Sequence, residues 1–152
     1  MIKSINKKIF ITGASGGIGS AICKKFFDNN FILVLTSSSD NNISKLKEQY
    51  GDKHFYYKIN LSDSKNVQNC LDEISKNHKD ISIIVNNAGK THDNLIFRMK
   101  NDQWNEVLQT NLSSNYQIIK SLLPNMLSNK YGKIIGISSI VGSTGNPGQA
   151  NY

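Results

Sequence analysis

The amino-acid sequence predicts an α/β fold, a doubly wound parallel sheet with helices on both faces. Five short, β-rich apolar runs alternate along the 152 residues with longer segments whose apolar residues recur every three or four positions. Parallel strands need a crossover between them, and strands that are apolar at nearly every position need two covered faces. No internal repeat, low-complexity block or linker interrupts this alternation, so residues 1–152 are interpreted as one domain.

Strands and helices are predicted in strict alternation. The strands are the apolar, β-branched or aromatic runs at residues 8–12, 32–36, 55–60, 81–86 and 133–138. The helices are the segments of helical period between them, at residues 17–29, 42–50, 64–77 and about 102–128. Asp63 or Ser62 is expected to cap the third helix, and Asn101 or Asp102 the fourth, because short polar side chains accept hydrogen bonds from a first helical turn.

The longest predicted helix carries an amide on its apolar face. The residues of this predicted inner face recur at three- and four-residue steps: Trp104, Leu108, Asn111, Leu112, Asn115, Ile118, Ile119 and Leu122. A buried amide without a hydrogen-bond partner costs ~1–3 kcal/mol. Asn111 is therefore expected to have partners, and its position alone leaves open a structural or a catalytic role.

The net charge of +7 arises from 17 lysines and Arg98 against 11 acidic residues. The basic residues are scattered, whereas nucleic-acid surfaces concentrate them and use arginine for bidentate contacts. DNA or RNA is therefore not an expected partner. No apolar run approaches the ~20 residues that cross a bilayer, and no signal-peptide pattern opens the sequence. We therefore expect a cytoplasmic protein with no membrane association.

Cysteine and histidine usage indicates neither a disulfide framework nor a metal site. Cys23 and Cys70 fall inside predicted helices without CxxC spacing, so both are expected to be reduced and buried. His54, His78 and His92 lack ligand-like spacing, so no metal is expected.

A glycine-rich loop follows the first strand and opens the first helix. Residues 12–19 read TGASGGIG, in which Gly13, Gly17 and Gly19 follow the spacing TGxxxGxG. Glycines let main-chain N–H groups approach a pyrophosphate closely, and the helix N-terminus adds partial positive charge. The loop is interpreted as a phosphate site, and a tight strand-to-helix turn without a ligand is the alternative.

This loop is the first of four motifs that together resemble those of the short-chain dehydrogenases/reductases. The second is NNAG at residues 86–89, and the third is Asn111 within TNL. The fourth pairs Ser139, at the end of the fifth strand, with Tyr152, 13 residues further on. The resemblance spans residues 12–152 and implies a single NAD(P)-binding domain with a Rossmann-type doubly wound parallel sheet.

The resemblance implies cofactor contacts along the carboxyl ends of the strands. The residues assigned to them are Gly13, Ser15, Gly17, Ile18, Gly19, Ser37, Asn60, Leu61, Asn87, Ala88 and Gly89. An acidic residue after the second strand would accept a bond from the ribose 2′-OH and select NAD. This chain has TSSS at 36–39, whose hydroxyls can donate to a 2′-phosphate, so NADP is the expected cofactor. Asp40 is expected to lie too far along, and a plain polar loop at 37–39 is the alternative.

The resemblance implies that Asn111, Ser139 and Tyr152 carry the reaction. Ser139 would bind a substrate carbonyl oxygen, Tyr152 would donate a proton, Asn111 would hold a water, and hydride would come from the cofactor. A phenol is a poor acid–base catalyst at neutral pH unless positive charge stabilises its phenolate. The family supplies that charge from a lysine four residues after the tyrosine, at position 156, beyond this sequence.

Within the family, the likeness is to bacterial-type 3-oxoacyl-[acyl-carrier-protein] reductases. Three stretches carry it: DNLIFRM at 93–99, WN at 104–105 with TNLSS at 110–114, and VG at 141–142 with GNPGQANY at 145–152. Gly16 and His92 stand where arginine is common, and Gly16 removes one possible contact to a 2′-phosphate.

This likeness implies NADPH-dependent reduction of a 3-oxoacyl group on acyl carrier protein, in fatty acid biosynthesis, by a homotetramer. It also places a basic docking residue for the acidic carrier protein near Lys130. The alternatives are another short-chain reductase, such as an acetoacetyl-CoA reductase, and a non-catalytic NADP-binding domain.

Five predicted strands are one fewer than the six of a complete doubly wound dinucleotide fold. The sequence stops at Tyr152, just after a loop at 142–148 that contains glycine and proline. We therefore expect the C-terminal part of the fold to be missing from this sequence and the fifth strand to be an exposed edge.

Overall fold

The computed structural model describes residues 7–152 and contains one five-stranded parallel sheet. The strands are β1 (Lys8–Ile11), β2 (Ile32–Ser37), β3 (Phe55–Lys58), β4 (Ile83–Asn86) and β5 (Lys133–Gly136). Their order is β3-β2-β1-β4-β5, so the chain winds outward from β1 in one direction and then from β4 in the other. The predicted α/β, doubly wound fold is confirmed, and β5 lies at an edge with all four residues exposed.

Helices separate consecutive strands, as predicted, although the predicted helix at about 102–128 is divided in two and a further short helix follows β5. They are α1 (Gly17–Asp28), α2 (Asp40–Tyr50), α3 (Ser64–Asn77), α4 (Asn101–Leu108), α5 (Ser114–Ser128) and the short α6 (Val141–Thr144). A π-helical turn, Gln109–Ser113, joins α4 to α5, and a 3₁₀ turn, Ile96–Arg98, precedes α4.

Alternate residues of the central strands supply two separate hydrophobic cores. Ile9, Ile11 and Leu33 point to the face where Cys23 of α1 and Leu46 of α2 pack. The opposite face combines β-strand residues with residues of α3 and α5: Phe10, Val34, Ile84, Val67, Leu71, Ile74, Ile118 and Leu122. Burial on both faces explains why the strand sequences are apolar without alternation.

One predicted cap is confirmed and one is wrong. Asp63 caps α3, and its carboxylate accepts hydrogen bonds from the N–H groups of Lys65 and Asn66 at 3.0 Å. Helix α4 instead begins after Lys100, whose own N–H donates to the Gln103 side chain at 2.8 Å. A side chain reaching back from within the helix takes the place of the predicted Asn101 or Asp102 cap.

The predicted inner face of the long helix is right beyond the π turn and wrong within it. Ile118 and Leu122 are buried, whereas Leu112 is 65% exposed. A π turn contains one more residue than an α-helical turn. It therefore displaces the buried positions from those that a continuous 3.6-residue period predicts. The buried stripe therefore runs through Val107, Thr110, Ser114, Ile118, Leu122 and Met126. Trp104 is 38% exposed and does not belong to the core.

Both cysteines are free, and they differ in burial. Cys23 is fully buried, and desolvation raises the pKa of its thiol to about 12. Cys70, predicted to be buried, is only half-buried, because it packs at the margin of the α3 face with its thiol directed at the Lys58 carbonyl. No helix within residues 7–152 has the length and apolar character to span a membrane.

Two histidines are held neutral by their surroundings. His54 Nδ1 accepts a hydrogen bond from the Leu33 N–H at 3.0 Å, a role open only to an unprotonated nitrogen. His78 is 2% exposed and its Nε2 lies 2.8 Å from the Tyr57 hydroxyl. Desolvation, reinforced by Lys53 for His54 and by Lys8 for His78, lowers the pKa of both imidazoles below the ordinary value.

We expect the fold to lose stability on mild acidification. Between the lowered folded-state pKa values and the unfolded value near ~6.5, the unfolded chain binds more protons than the folded chain. The free energy of unfolding should therefore fall as the pH drops through that interval. Urea titrations at pH 7.5 and 5.5 measure this change. The double variant His54→Gln, His78→Gln should reduce it, and an unaltered pH dependence in that variant would contradict the assignment.

Candidate functional site

The main cleft of the described residues opens at the carboxyl ends of the strands. It has a volume of about 810 Å³ and lies where β1 and β4 meet, the point at which the winding of the sheet reverses. Two adjacent chain segments there leave in opposite directions, which creates a crevice that a ligand can enter. Four segments line it: the β1–α1 loop, the end of β2 with the start of α2, the β3–α3 loop, and the β4 loop with the α4 region.

Two glycines, one in the β1–α1 loop and one in the first turn of α1, lie where a Cβ would overlap neighbouring atoms. Gly13 has φ +64°, and a Cβ on it would lie 2.9 Å from Ala88 Cα. A Cβ on Gly19 would lie 2.1 Å from the Gly13 carbonyl oxygen and 2.8 Å from Asn87 Nδ2. Nothing lies within 4 Å of a Cβ built on Gly17, so that glycine leaves open space on the cleft side.

A compact set of hydrogen bonds joins the two loops. The Thr12 hydroxyl accepts from the N–H groups of Asn87 and Ala88, both at 3.0 Å. The Asn87 side chain donates to the carbonyl oxygens of Thr12 and Gly13, at 2.9 and 3.1 Å. Every donor of the Asn87 amide is thereby used to hold the glycine loop against the end of β4.

The N-terminus of α1 faces the cleft without a side-chain cap among the described residues. Its N-cap is Gly16, and the first intrahelical bond runs from the Ser20 N–H to the Gly16 carbonyl at 2.8 Å. The N–H groups of Gly17, Ile18 and Gly19 precede that bond and have no carbonyl within the helix to donate to. They form a cradle of donors, with the positive end of the helix dipole behind it, that suits a phosphate group.

All eleven residues predicted at the cofactor lie on this one cleft. The same cleft is lined by Gly16, Thr36, Ser38 and Ser62, which lie in the glycine loop, the TSSS run and the β3–α3 loop, and by residues for which the sequence indicated no place there: Asn42, Ile59, Lys90, Glu106 and Thr110. Asn42 has the clearest missed signal, since it follows the polar run after β2 by three residues, in the first turn of α2.

Near the ends of β2 and β3 the polar groups that the described residues present to the cleft are all neutral. The hydroxyls of Ser15 and Ser37 lie 3.1 Å apart, and the Asn42 amide donates to the Ser15 hydroxyl at 3.2 Å. Asp40 does not line the cleft, and its carboxylate pairs with Lys58. On the opposite wall the Asn60 side-chain oxygen accepts from the N–H and hydroxyl of Ser62, which orders the β3–α3 loop.

Asn111 lies in the π turn and binds the main chain of Lys90. Its Oδ1 accepts from the Lys90 N–H at 2.9 Å, and its Nδ2 donates to the Lys90 carbonyl at 2.8 Å. The prediction that this amide has partners is confirmed. The Lys90 ammonium pairs with Glu106, and that hydrogen bond lowers the pKa of the Glu106 carboxyl below its ordinary value.

Ser139 and Tyr152 lie on the segment after β5, outside the lining of the cleft. The Ser139 hydroxyl accepts from the Val141 N–H at 3.3 Å, and Tyr152 is 43% exposed. Asn151 is 4% exposed and donates to the carbonyl oxygens of His92 and Gln103, both at 3.1 Å. The segment that carries Tyr152 is therefore fastened to the stretch that leads into α4.

The doubly wound sheet, the glycine cradle at α1 and the cleft at the strand reversal define a Rossmann-like α/β domain. The short chain dehydrogenase family model matches residues 7–152, and the chain belongs to that family of oxidoreductases, whose members usually use NAD(P).

Several curated relatives carry the name 3-oxoacyl-[acyl-carrier-protein] reductase. The 3-oxoacyl-[acyl-carrier-protein] reductase FabG of Haemophilus influenzae is 40% identical over 146 residues, 96% of this chain and 60% of that protein. FabG of Escherichia coli is 37% identical over 146 residues, with the same coverage. This chain thus spans about 60% of the length of these relatives. A short-chain dehydrogenase from Streptomyces avermitilis shares the fold, with a TM-score of 0.88 at 22% identity over 100% of this chain and 56% of that one.

Alanine substitutions at two glycines in the first turn of α1 should differ in their effect on stability. We expect Gly19→Ala to lower the free energy of unfolding by about 1–3 kcal/mol, because its Cβ overlaps the Gly13 carbonyl oxygen. Gly17→Ala is the matched control and should leave stability nearly unchanged, because its Cβ enters open space. Urea unfolding of both variants measures the difference. Equal losses of stability would show that the close approach of the loops is not what requires Gly19.

Proposed function

We propose that the protein containing this chain is an NADPH-dependent reductase of 3-oxoacyl-[acyl-carrier-protein]. The observation that carries the proposal is the convergence of four separate segments, with eleven residues expected at the cofactor, on one cleft at the strand reversal. This cleft lies at the carboxyl ends of parallel strands where the sheet reverses its winding, which is the place where dinucleotides bind in doubly wound sheets.

The donors available in the cleft fit the parts of a dinucleotide. The N–H groups at the start of α1 would bind the pyrophosphate, and Gly17 leaves room for it beside the helix. Asn60 and Leu61 would contact the adenine from the β3–α3 loop, and the loop of Ala88 and Gly89 would support the nicotinamide end. Ser37 would contact the 2′-phosphate, where an acidic side chain would repel it.

The proposed reaction uses three side chains of this chain. The Ser139 hydroxyl would hold the substrate carbonyl oxygen, and the Tyr152 phenol would give that oxygen a proton. Asn111 would fix the Lys90 main chain beside the cleft through its two hydrogen bonds. It would hold a water with the second hydrogen of its Nδ2 or the second acceptor site of its Oδ1. NADPH would supply the hydride when bound. A homotetramer is the proposed assembly, from the likeness to this class of reductases.

The acyl carrier protein is proposed as the carrier of the substrate because the curated relatives are named for it. Lys130 stands at the C-terminal end of α5 with φ +55°. It borders an apolar cavity of about 340 Å³ formed with Leu123, Met126, Leu127, Tyr131, Gly132 and Ile134. A cation beside an apolar depression suits the acidic surface that carrier proteins present.

The reaction is tested by NADPH oxidation in the full-length protein. We expect turnover with a 3-oxoacyl-[acyl-carrier-protein] at a higher kcat/KM than with acetoacetyl-CoA. Tyr152→Phe should lower kcat by at least about 100-fold, since it removes the proton donor while keeping the ring. A preference for acetoacetyl-CoA would favour another short-chain reductase, and turnover unchanged by Tyr152→Phe would remove that residue from the reaction.

Cofactor choice should follow the charge at the end of β2. We expect the full-length protein to bind NADPH more tightly than NADH, because no carboxylate faces the cleft there. Ser37→Asp should reverse the preference, since its carboxylate repels a 2′-phosphate and accepts from a 2′-OH. Fluorescence titration with both cofactors measures the ratio of Kd values. The control Ser44→Asp adds the same charge at an exposed position of α2 and should keep the original ratio.

Docking of the carrier protein should depend on Lys130. We expect Lys130→Glu to raise KM several-fold for a carrier-protein substrate, with a salt-sensitive difference, and to leave KM for a small thioester unchanged. Lys25→Glu, which makes the same charge change at an exposed position of α1, is the control. Equal effects on both substrates would place docking elsewhere.

A further inference from the structure

The cleft contains a small polar cluster that joins three chain segments. Ser15 belongs to the β1–α1 loop, Ser37 ends β2, and Asn42 lies in the first turn of α2. The two hydroxyl oxygens are 3.1 Å apart, and Asn42 Nδ2 donates to Ser15 Oγ at 3.2 Å. This amide carries two hydrogens, so a second donor is available on the side chain after the bond to Ser15 is made.

Within residues 7–152, no charged side chain lines this part of the cleft. Only two charged residues occur among the described residues that line the cleft, Lys90 and Glu106, and they pair with each other. The nearby ion pair of Asp40 and Lys58 lies outside the lining and is internally neutralised. Gly16, at the mouth of the cluster, has no side chain, and a Cβ built on it meets only the Gly13 carbonyl oxygen, at 3.5 Å.

We propose that Asn42 is the residue that determines how strongly this cleft prefers a 2′-phosphorylated dinucleotide, by donating its side-chain amide to a phosphate oxygen. The inference rests on the proposed function, since it assumes that a dinucleotide lies in the cleft. Because no cation is among the described residues that line this part of the cleft, a 2′-phosphate there would be held by neutral donors, and Asn42, Ser15 and Ser37 are those that the structure gathers there. The Ser15 hydroxyl lies between the Ser37 hydroxyl and the Asn42 amide and orients that amide.

An uncharged site makes the preference sensitive to a single donor. A hydrogen bond to a charged group is stronger than one between neutral groups, so its loss should weaken binding of the phosphorylated cofactor by roughly tenfold. The 2′-OH of the unphosphorylated cofactor is uncharged, so its hydrogen bond to the same donor is weaker and NADH should be affected much less. The ratio of the two Kd values is therefore the quantity that Asn42 sets.

The experiment measures Kd for NADPH and NADH by isothermal titration calorimetry on the full-length protein. ADP-ribose and 2′-phospho-ADP-ribose serve as second probes that lack the nicotinamide. Asn42→Ala should weaken NADPH and 2′-phospho-ADP-ribose by roughly tenfold and change NADH and ADP-ribose little. Asn42→Asp, which has the same shape and a negative charge, should weaken the phosphorylated ligands further and leave NADH bound.

The matched control is Asn41→Asp, which makes the same charge change one residue earlier, at an exposed position outside the cleft lining. It should leave the NADPH-to-NADH ratio within about twofold of the parent protein. Gly16→Arg tests the missing cation directly and should raise NADPH affinity and make it less dependent on Asn42.

Three outcomes would overturn the inference. Equal ratios for Asn42→Asp and Asn41→Asp would mean that only net charge matters. Parallel weakening of phosphorylated and unphosphorylated ligands by Asn42→Ala would mean that Asn42 only shapes the loop. If the parent protein, with a normal unfolding transition, binds none of the four ligands, the proposed function fails together with the inference. In the first two cases the dinucleotide site stands and only the role of Asn42 is lost.

Discussion

The close contact between the end of β1 and the loop after β4 is the constraint on which the cleft depends. The Asn87 side chain donates hydrogen bonds to the carbonyl oxygens of Thr12 and Gly13. The Thr12 hydroxyl accepts a hydrogen bond from the main-chain N–H of Asn87, in the loop after β4. No Cβ fits at Gly13 or Gly19 while this contact exists. The contact fixes where α1 begins, and hence where its free N–H groups point, which is why a phosphate cradle forms at the strand reversal.

The cleft also combines rigid walls with a nearly uncharged lining. The ionic pair of Lys90 with Glu106, the only one among the lining residues that the structure describes, lies at the end where Asn111 binds the Lys90 main chain, and the opposite end carries hydroxyl and amide groups. Few charged side chains therefore oppose or screen the positive potential at the N-terminus of α1. Ligand recognition in such a site depends on the direction of individual hydrogen-bond donors. Substitution of one neutral residue should therefore change ligand affinity more than it would in a site dominated by charged side chains.

Local patterns predicted the elements well and failed at one helix cap and at the π turn, where a contact with a distant segment decides the geometry. The Asp63 cap and the bounds of α3 depend on residues within one helical turn, and they agree with the sequence. The α4 cap was wrong because Gln103 reaches back to the N–H of Lys100. Leu112 was wrongly placed inside because the π turn at Gln109–Ser113, whose Asn111 binds a distant segment, shifts the helical period.

The sequence by itself determined the order of strands and helices, the two-sided burial of the sheet and the motif positions of the cleft, because these follow from hydrophobic period and from glycines at fixed spacing. Its resemblance to the family also gave Asn111, Ser139 and Tyr152 as the proposed catalytic residues. Only the tertiary structure decided that Asn42 joins Ser15 and Ser37, and that Asn151 fastens the last segment to His92. These contacts link residues up to 59 positions apart, and their geometry is set by how loops meet across the sheet rather than by any local period.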